Sequence, residues 1–169
     1  HIQAPALSAV LSKMHLNCHT PRAILFAGPR YGGLSIPELY MDQSYEQRRL
    51  LVGHLKLADD TGQLILSNLT HLQLQIGSST PVFNNSYPIN AKWIDATWLT
   101  SIWKFASQIN LGIEIENQWI PTPARTKDTL LMDLAITYNL THQQLYGINI
   151  CRIYLQVLAL SDITAADGE

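Results

Sequence analysis

The chain has few charged residues and few cysteines for its length. Charged residues make up 14% of the 169 positions, whereas about a quarter is usual in soluble domains. Apolar residues make up 47%, which excludes an intrinsically disordered segment, because such segments are poor in apolar side chains. Eleven basic and thirteen acidic residues give a net charge of −2. This is not the basic balance of a freestanding nucleic-acid-binding domain.

Disulfide, membrane and secretion signals are also scarce. Cys18 and Cys151 lie far apart in the sequence and could in principle pair, but two thiols do not make a disulfide framework. Every uninterrupted apolar run is well below the ~18 residues that a membrane span needs, and no charged-then-apolar leader opens the chain. We therefore expect an intracellular location, cytoplasmic or nuclear, and no membrane partner. The chain opens with His1 rather than Met, so we expect it to be part of a longer polypeptide.

Apolar residues at helical spacing predict a mainly α fold with a minor β component (α+β). We expect a bundle-like N-terminal part, and a C-terminal part that combines helices with a short strand. The alternation of apolar and polar residues over 113–120 predicts that strand, and 152–160 fits either helix or strand. Helices are expected in the first fifteen residues, from the capping-box pattern Ser35-x-x-Glu38 to about Ala58, and over 63–76, 93–105, 130–138 and 142–150.

Turn-forming residues divide the chain once. Ser, Asn and Pro are concentrated between Gly77 and Asn90, which is typical of a linker or a long surface loop. The predicted organisation is a helical segment over 1–77, a linker or loop over 78–90 and an α+β module over 91–169. Whether the two larger parts share one core stays open at this level.

The pair Asp59-Asp60 is the most tempting catalytic motif. Reverse transcriptases carry a similar Tyr-Ala-Asp-Asp sequence, whose paired carboxylates hold divalent metals on a tight hairpin. In this chain the pair follows a charged helical pattern and precedes Thr61-Gly62, a composition typical of a helix end. We therefore expect a surface loop, and we keep a metal-dependent nuclease or polymerase fragment as a minor alternative.

Other catalytic patterns are incomplete. His15, Cys18 and His19 provide possible metal ligands, but a zinc site needs four and no second cluster follows. Gly-x-Ser-x-Gly does not occur, and the glycines at 28–33 have neither the P-loop nor the Rossmann spacing. We expect no catalytic residue, no metal site, no cofactor and no small-molecule substrate in this chain.

Basic residues are concentrated in the first third of the chain. Such a patch is able to follow a phosphate backbone by countercharge, and the alternative is an ordinary solvated helix face. The six residues are Lys13, Arg22, Arg30, Arg48, Arg49 and Lys56.

Two further groups are interpreted as structural. Trp93, Trp98 and Trp103 have helical spacing and are expected in the core, with base stacking as the alternative. The remaining polar residues in apolar surroundings are expected to form buried or half-buried ion pairs that fix helix docking. They are Arg125, Asp128, Asp133 and Arg152.

The stretch from Thr20 to Leu39, TPRAILFAGPRYGGLSIPEL, resembles a segment that follows the catalytic palm in retrotransposon-type reverse transcriptases. In that family a Pro followed by Gly-Gly-Leu-Gly-Ile leads into a long helix, and here Ser35 stands where the family often has Gly. Further weak similarities continue in the same order to the end of the chain. They are Asp42 to Tyr45, His54 to Lys56, Leu72 to Gly77, Arg125-x-x-Asp128, Leu131 to Asp133, Ile148 to Leu155, Leu160 to Ile163, and Asp167-Gly168. The whole pattern is most similar to the long reverse-transcriptase reading frames of algal and diatom-like genomes.

The resemblance implies that this chain is the non-catalytic thumb and connection region of a reverse transcriptase (RNA-directed DNA polymerase) polyprotein. Residues 1–77 would be the thumb-like part and 91–169 the connection. The implied partners are an upstream polymerase palm of the same polypeptide and an RNA/DNA duplex. The parent would use Mg, but the family's catalytic aspartates have no counterpart here. The implied backbone contacts are Arg22, Arg30, Arg48, Arg49 and Lys56. The alternative function is a protein-interaction or scaffold domain that touches no nucleic acid.

Overall fold

The computed structural model describes residues 3–138 and 140–164. Within these ranges the chain is mainly helical, as predicted, and the minor β component is not confirmed. The pairing of Leu130 with Ala159 is an isolated antiparallel bridge. Eight α-helices are described: α1 (Gln3–Lys13), α2 (Arg22–Phe26), α3 (Leu39–Leu57), α4 (Asp60–Ile76), α5 (Tyr87–Asn90), α6 (Trp98–Gln108), α7 (Leu131–Thr137) and α8 (His142–Leu155).

The chain divides into two compact units, and the boundary falls inside α3, between Glu46 and Gln47. The division predicted at 78–90 lies elsewhere in the sequence and stays a prediction. The smaller unit contains α1, α2 and the first part of α3, and the larger unit contains the rest of α3 and the helices that follow.

In the smaller unit, backbone hydrogen bonds join α2 to the loop after it. The amides of Leu34 and Ile36 donate to the carbonyl oxygens of Ile24 and Leu25, each at 2.9 Å. The intervening turn passes through Gly32, whose φ of 74° lies in the left-handed region that glycine adopts at low cost. Gly28-Pro29 and Gly32-Gly33 therefore lie in a closed loop that returns alongside α2.

The first core cluster of the larger unit is built around α4. Apolar side chains of α4 recur at the three- and four-residue spacing that places them on one face of a helix. Helices α3 and α6 and the segment after α4 add the other members, so residues on both sides of 78–90 share this cluster. Its buried residues are Leu51, Ile65, Leu69, Leu72, Ile76, Val82, Leu99, Ile102 and Trp103.

Segment 78–90 is tied to that cluster by specific contacts. Val82 is fully buried within it. The indole Nε1 of Trp103 donates to the carbonyl oxygen of Asn85 at 3.1 Å, and the ring of Tyr87 meets Trp103 edge-on at 5.3 Å between centroids. The segment is consequently packed against the core although its composition is that of a loop.

One buried amide side chain organises the turn after α4. Gln73 is fully buried, and its Nε2 donates to the carbonyl oxygens of Ser78 at 2.8 Å and Thr80 at 2.9 Å. Its Oε1 accepts a hydrogen bond from Nε2 of Gln118 at 2.7 Å. Both ends of the amide are satisfied, which offsets the cost of burying it.

The second core cluster of the larger unit lies between α7 and α8 and includes Trp93, Met132, Ala135 and Leu145. It is joined to α4 by Arg152 of α8, which is buried. The guanidinium Nη2 donates to the carbonyl oxygens of Leu74 and Gln75, the latter at 2.9 Å. These carbonyls belong to the last turn of α4, where the helix dipole favours a cation.

The strand expected over 113–120 is absent, and the segment is irregular. Ile113 and Ile115 both pack against the first core cluster, which explains their alternation. A strand also needs a partner for its backbone hydrogen bonds, and no neighbouring strand is formed in the described part of the chain. The ambiguous segment 152–160 is helical up to Leu155.

Helix α6 begins later than the spacing of the tryptophans predicts. Thr97 precedes it, and its Oγ1 accepts from the amide of Thr100 at 3.3 Å, while the Thr97 amide donates to Oγ1 of Thr100 at 2.7 Å. This reciprocal cap fixes the first residue at Trp98 and leaves Trp93 in the preceding turn.

Candidate functional site

Three of the predicted phosphate contacts lie on one side of α3. Arg48, Arg49 and Lys56 are exposed. At about 100° per residue they fall within an arc of roughly 100°, and the buried side chain of Leu51 points outside that arc. This basic side, defined by the three residues, extends about 12 Å along the helix axis.

The other two predicted contacts belong to the smaller unit. Arg22 is the first residue of α2, and Arg30 lies in a short 3-10 turn. Both are exposed. The guanidinium carbon of Arg30 lies 5.9 Å from the ring centroid of Tyr31, a distance at which a cation and an aromatic face attract each other.

The corner between α3 and α4 is fixed by Asp59. Its Oδ1 accepts from the amide of Gly62 at 2.7 Å, and its Oδ2 lies 2.7 Å from Nδ1 of His54. Asp59 is therefore the N-cap of α4. The amide of Gly62, and secondly the hydrogen bond to His54, lower the pKa of the Asp59 carboxyl. A Cβ on Gly62 would lie 2.3 Å from the carbonyl oxygen of His54, so the corner requires glycine there.

This geometry does not fit a metal-binding pair. Both carboxylate oxygens of Asp59 are engaged in the corner, and Asp60 lies in the first turn of α4. The described residues contain no group of three or more His, Cys, Asp and Glu side chains that could hold a metal ion. The corner between two helices also differs from the strand hairpin that the two-metal motif requires.

A groove runs between α3, α4 and the start of α6, and it has two lobes. The first lobe, of about 400 Å³, is lined mainly by apolar side chains, among them Leu50, Leu64 and Ile65. The second lobe, of about 220 Å³, is more polar. Asn68 and Trp98 line both lobes, so the two form one continuous surface.

The second lobe of the groove contains one carboxylate. Nε2 of Gln75 lies 3.2 Å from Oδ2 of Asp95 and 3.2 Å from Nε2 of His71. All three side chains line the lobe, and no lysine or arginine lines either lobe. The groove thus presents an apolar surface next to a negative charge.

This groove is not predicted from the sequence, because apolar residues at helical spacing do not show which of them packing leaves exposed. Leu50 is 47% exposed and Leu64 is 63% exposed. Adjacent apolar residues such as Leu50 and Leu51 give no signal of this exposure, because neighbours on a helix are able to face one core together, as Ile102 and Trp103 of α6 do. Trp98 is half-buried, whereas Trp93 and Trp103 are buried as expected.

In the C-terminal part, hydrogen bonds hold three of the residues for which ion pairs were expected, namely Arg152, Asp133 and Asp128. Arg152 donates to backbone carbonyls and to Oδ1 of Asn149 at 3.0 Å. Burial lowers its pKa to about 10, so it stays charged at neutral pH. Oδ2 of Asp133 accepts from the hydroxyl of Ser79 at 3.0 Å.

Asp128 is also held by hydrogen bonds. Its Oδ1 accepts from the amide of Thr129 at 2.8 Å, and its Oδ2 accepts from the amide of Ser161 at 3.2 Å. The pKa of Asp128 is lowered first by a side-chain hydrogen bond from Ser161 and further by the charge of Arg125. These groups fix loops in place.

No protein-family model, curated protein or solved structure matches the chain. None of the helices in the described part of the chain combines the length and apolar character needed to cross a membrane.

Proposed function

We propose that this chain is a non-catalytic fragment of a retroelement reverse transcriptase polyprotein and helps to hold the template–primer backbone. The observation that carries the proposal is the basic side of α3, formed by Arg48, Arg49 and Lys56. Its length of about 12 Å corresponds to roughly three to four base-pair steps of one strand. Contacts of this kind hold a duplex without reading its sequence.

The loop after α2 supports the family assignment. Ser35 stands where the resembling family often has Gly, and its φ is 52°, in the left-handed region that favours glycine. The backbone conformation at this position is therefore the one that the family's residue would prefer. The long helix that the family places next also follows here, as α3.

Catalysis belongs to the parent polypeptide in this proposal. The magnesium-binding aspartates would lie in a palm upstream of this chain, and Asp59 and Asp60 take no part because they form the α3–α4 corner. The parent would work inside the cell, in the cytoplasm or nucleus.

Salt-dependent binding of an RNA–DNA hybrid tests the proposal. A fluorescent hybrid is titrated with the chain at several salt concentrations, and anisotropy is measured. Each phosphate contact contributes about 0.9 to the slope of log K against log salt. We expect the triple variant Arg48→Gln, Arg49→Gln, Lys56→Gln to reduce that slope by roughly 2–3.

The matched control changes the same net charge elsewhere in the larger unit. Lys92, Lys104 and Lys127 are exposed, and their triple Gln variant should keep most of the slope. Equal losses in both triple variants would show non-specific attraction and refute the proposal. Absence of binding at low salt would also refute it. In the parent enzyme, Arg48→Gln with Arg49→Gln should shorten processive synthesis.

A specific surface favours the alternative function, a protein-interaction or scaffold domain. On one side of α8, Tyr146, Ile150 and Tyr154 are exposed, and Tyr154 reaches 84%. Arg152, the one residue of Lys, Arg, Asp or Glu type in this helix, is buried. An uncharged aromatic face suits a protein contact better than a phosphate backbone. This alternative predicts no anisotropy change with the hybrid at any salt concentration.

A further inference from the structure

The groove between α3, α4 and α6 has a chemistry different from that of the basic side. Its first lobe is apolar, and its second lobe contains Asp95. Gln75 is the hydrogen-bond partner of Asp95 among the described residues, and this partner is neutral. Among the described residues, no lysine or arginine lines the lobe beside this carboxylate.

The Asp95 carboxylate determines which class of ligand suits the groove. A phosphate backbone would be repelled by Asp95 and would meet no lysine or arginine in either lobe. A cationic side chain would be attracted, and a guanidinium fits best, because its planar fork pairs with a carboxylate through two hydrogen bonds. The indole of Trp98, which lines both lobes, adds a surface on which a guanidinium is able to stack.

The apolar lobe adds a second requirement. Leu50 and Leu64 are exposed beside the buried Ile65, and covering them with an aliphatic side chain removes apolar surface from water at about 25 cal/mol per Å². A ligand that satisfies both lobes therefore carries an aliphatic group and a guanidinium a short distance apart. A peptide segment with a leucine-type residue and an arginine has this composition.

We propose that this groove is a docking site for a peptide segment of a protein partner in which an arginine follows an aliphatic residue. The aliphatic side chain packs on Leu50 and Leu64, and the arginine pairs with Asp95 beside Trp98. Leu50 lies outside the arc that contains the basic side of α3. Peptide docking and backbone binding therefore use separate surfaces and are independent of each other.

The test uses labelled, capped helical peptides in which an arginine follows a leucine by about one or two turns. Their binding to the whole chain is measured by anisotropy. We expect Leu64→Asp and Asp95→Lys each to weaken the best peptide by roughly tenfold or more. The matched controls are Ile109→Asp and Glu116→Lys, which alter exposed side chains outside the groove and should change affinity less than about twofold.

A charge swap separates docking from structural effects. A peptide with glutamate in place of the arginine should bind the native chain poorly and should regain affinity for the Asp95→Lys variant. Loss of folding cannot produce such a gain. The triple variant of the basic side should bind the arginine peptide normally, so failure of the nucleic-acid proposal is distinguishable from failure of this one. Equal weakening by groove and control variants, or no gain in the charge swap, would overturn the proposal.

Discussion

A Cβ atom on Gly77 would lie 2.6 Å from the guanidinium carbon of Arg152. Gly77 ends α4 with a φ of 66°, and Arg152 reaches over it from α8 to the last carbonyls of that helix. The absence of a side chain at the helix end therefore makes room for the cation that satisfies it. This contact joins the two core clusters of the larger unit.

Gly77→Ala should destabilise the fold strongly. The left-handed conformation alone costs a non-glycine residue about 1–2 kcal/mol, and Arg152 would also have to move away from the new methyl group. Urea unfolding followed by circular dichroism measures the effect. The matched control is Gly53→Ala in α3, where the added carbon meets no atom within 4 Å apart from its chain neighbours and the backbone of its own helix. This variant should raise stability by about 0.5–1 kcal/mol. Two variants of equal stability would contradict this reading.

Arg152→Met should lower the free energy of unfolding by about 2–3 kcal/mol. The change keeps much of the side-chain volume but leaves the carbonyls of Leu74 and Gln75 without their donor. Chemical denaturation monitored by tryptophan fluorescence gives the value. Lys104→Met removes an exposed charge from α6 and should stay within about 0.5 kcal/mol of the native chain. A similarly small loss for Arg152→Met would show that the contact adds little.

Trp103→Ala should be among the most damaging changes, with a loss of about 3–5 kcal/mol. It removes a buried ring together with its hydrogen bond to Asn85 and its contact with Tyr87. Thermal unfolding by far-ultraviolet circular dichroism provides the comparison. Trp119 is exposed, so Trp119→Ala should cost less than about 1 kcal/mol. A mild effect at Trp103 would mean that segment 78–90 is not held by the core.

Acid should weaken the α3–α4 corner through Asp59. Its pKa is lowered from an ordinary value of 3.8 by the amide of Gly62 and then by His54. A depressed folded pKa contributes stability that is fully present above the unfolded value and is lost as the pH falls through the folded value. We therefore expect stability to fall as the pH drops below about 4.

Asp59→Asn removes this part of the pH dependence. The variant should be less stable than the native chain near neutral pH, and the two should converge in acid. Denaturation midpoints at about pH 6 and about pH 3 measure the difference. Asp60→Asn leaves the contacts of Asp59 in place and should keep the native acid response. If the gap between native chain and Asp59→Asn stays constant with pH, the corner is held by something else.

Helix α4 shows which parts of the fold are visible in the sequence. Its buried positions repeat at helical spacing, and Gly77 marks its end, so its end was predicted to the residue. Its start was placed three residues late, because Asp59 acts as a cap instead of extending the break. The prediction of a strand over 113–120 is wrong for a different reason. Alternation reports which side chains face the core, but a strand also depends on a partner that is distant in sequence.

The two candidate surfaces also differ in how far the sequence alone predicts them. The basic side of α3 can be predicted from the sequence, because Arg48, Arg49 and Lys56 are close in sequence and share one helix. The groove is assembled from α3, α4 and α6, and its character depends on which leucines packing leaves exposed. Leu50 and Leu64 look like core residues in the sequence, so the groove was beyond prediction without the tertiary structure.

The buried amide of Gln73 also limits which substitutions this chain tolerates. Replacing its amide nitrogen by oxygen, as Gln73→Glu does, would set a negatively charged atom against the backbone oxygens of Ser78 and Thr80. Hydrophobic replacements of similar size would leave those two oxygens and the side-chain amide of Gln118 without the hydrogen bonds that Gln73 makes. Mutational scanning should therefore find that position 73 tolerates few replacements, although Gln73 belongs neither to the basic side of α3 nor to the lining of the groove.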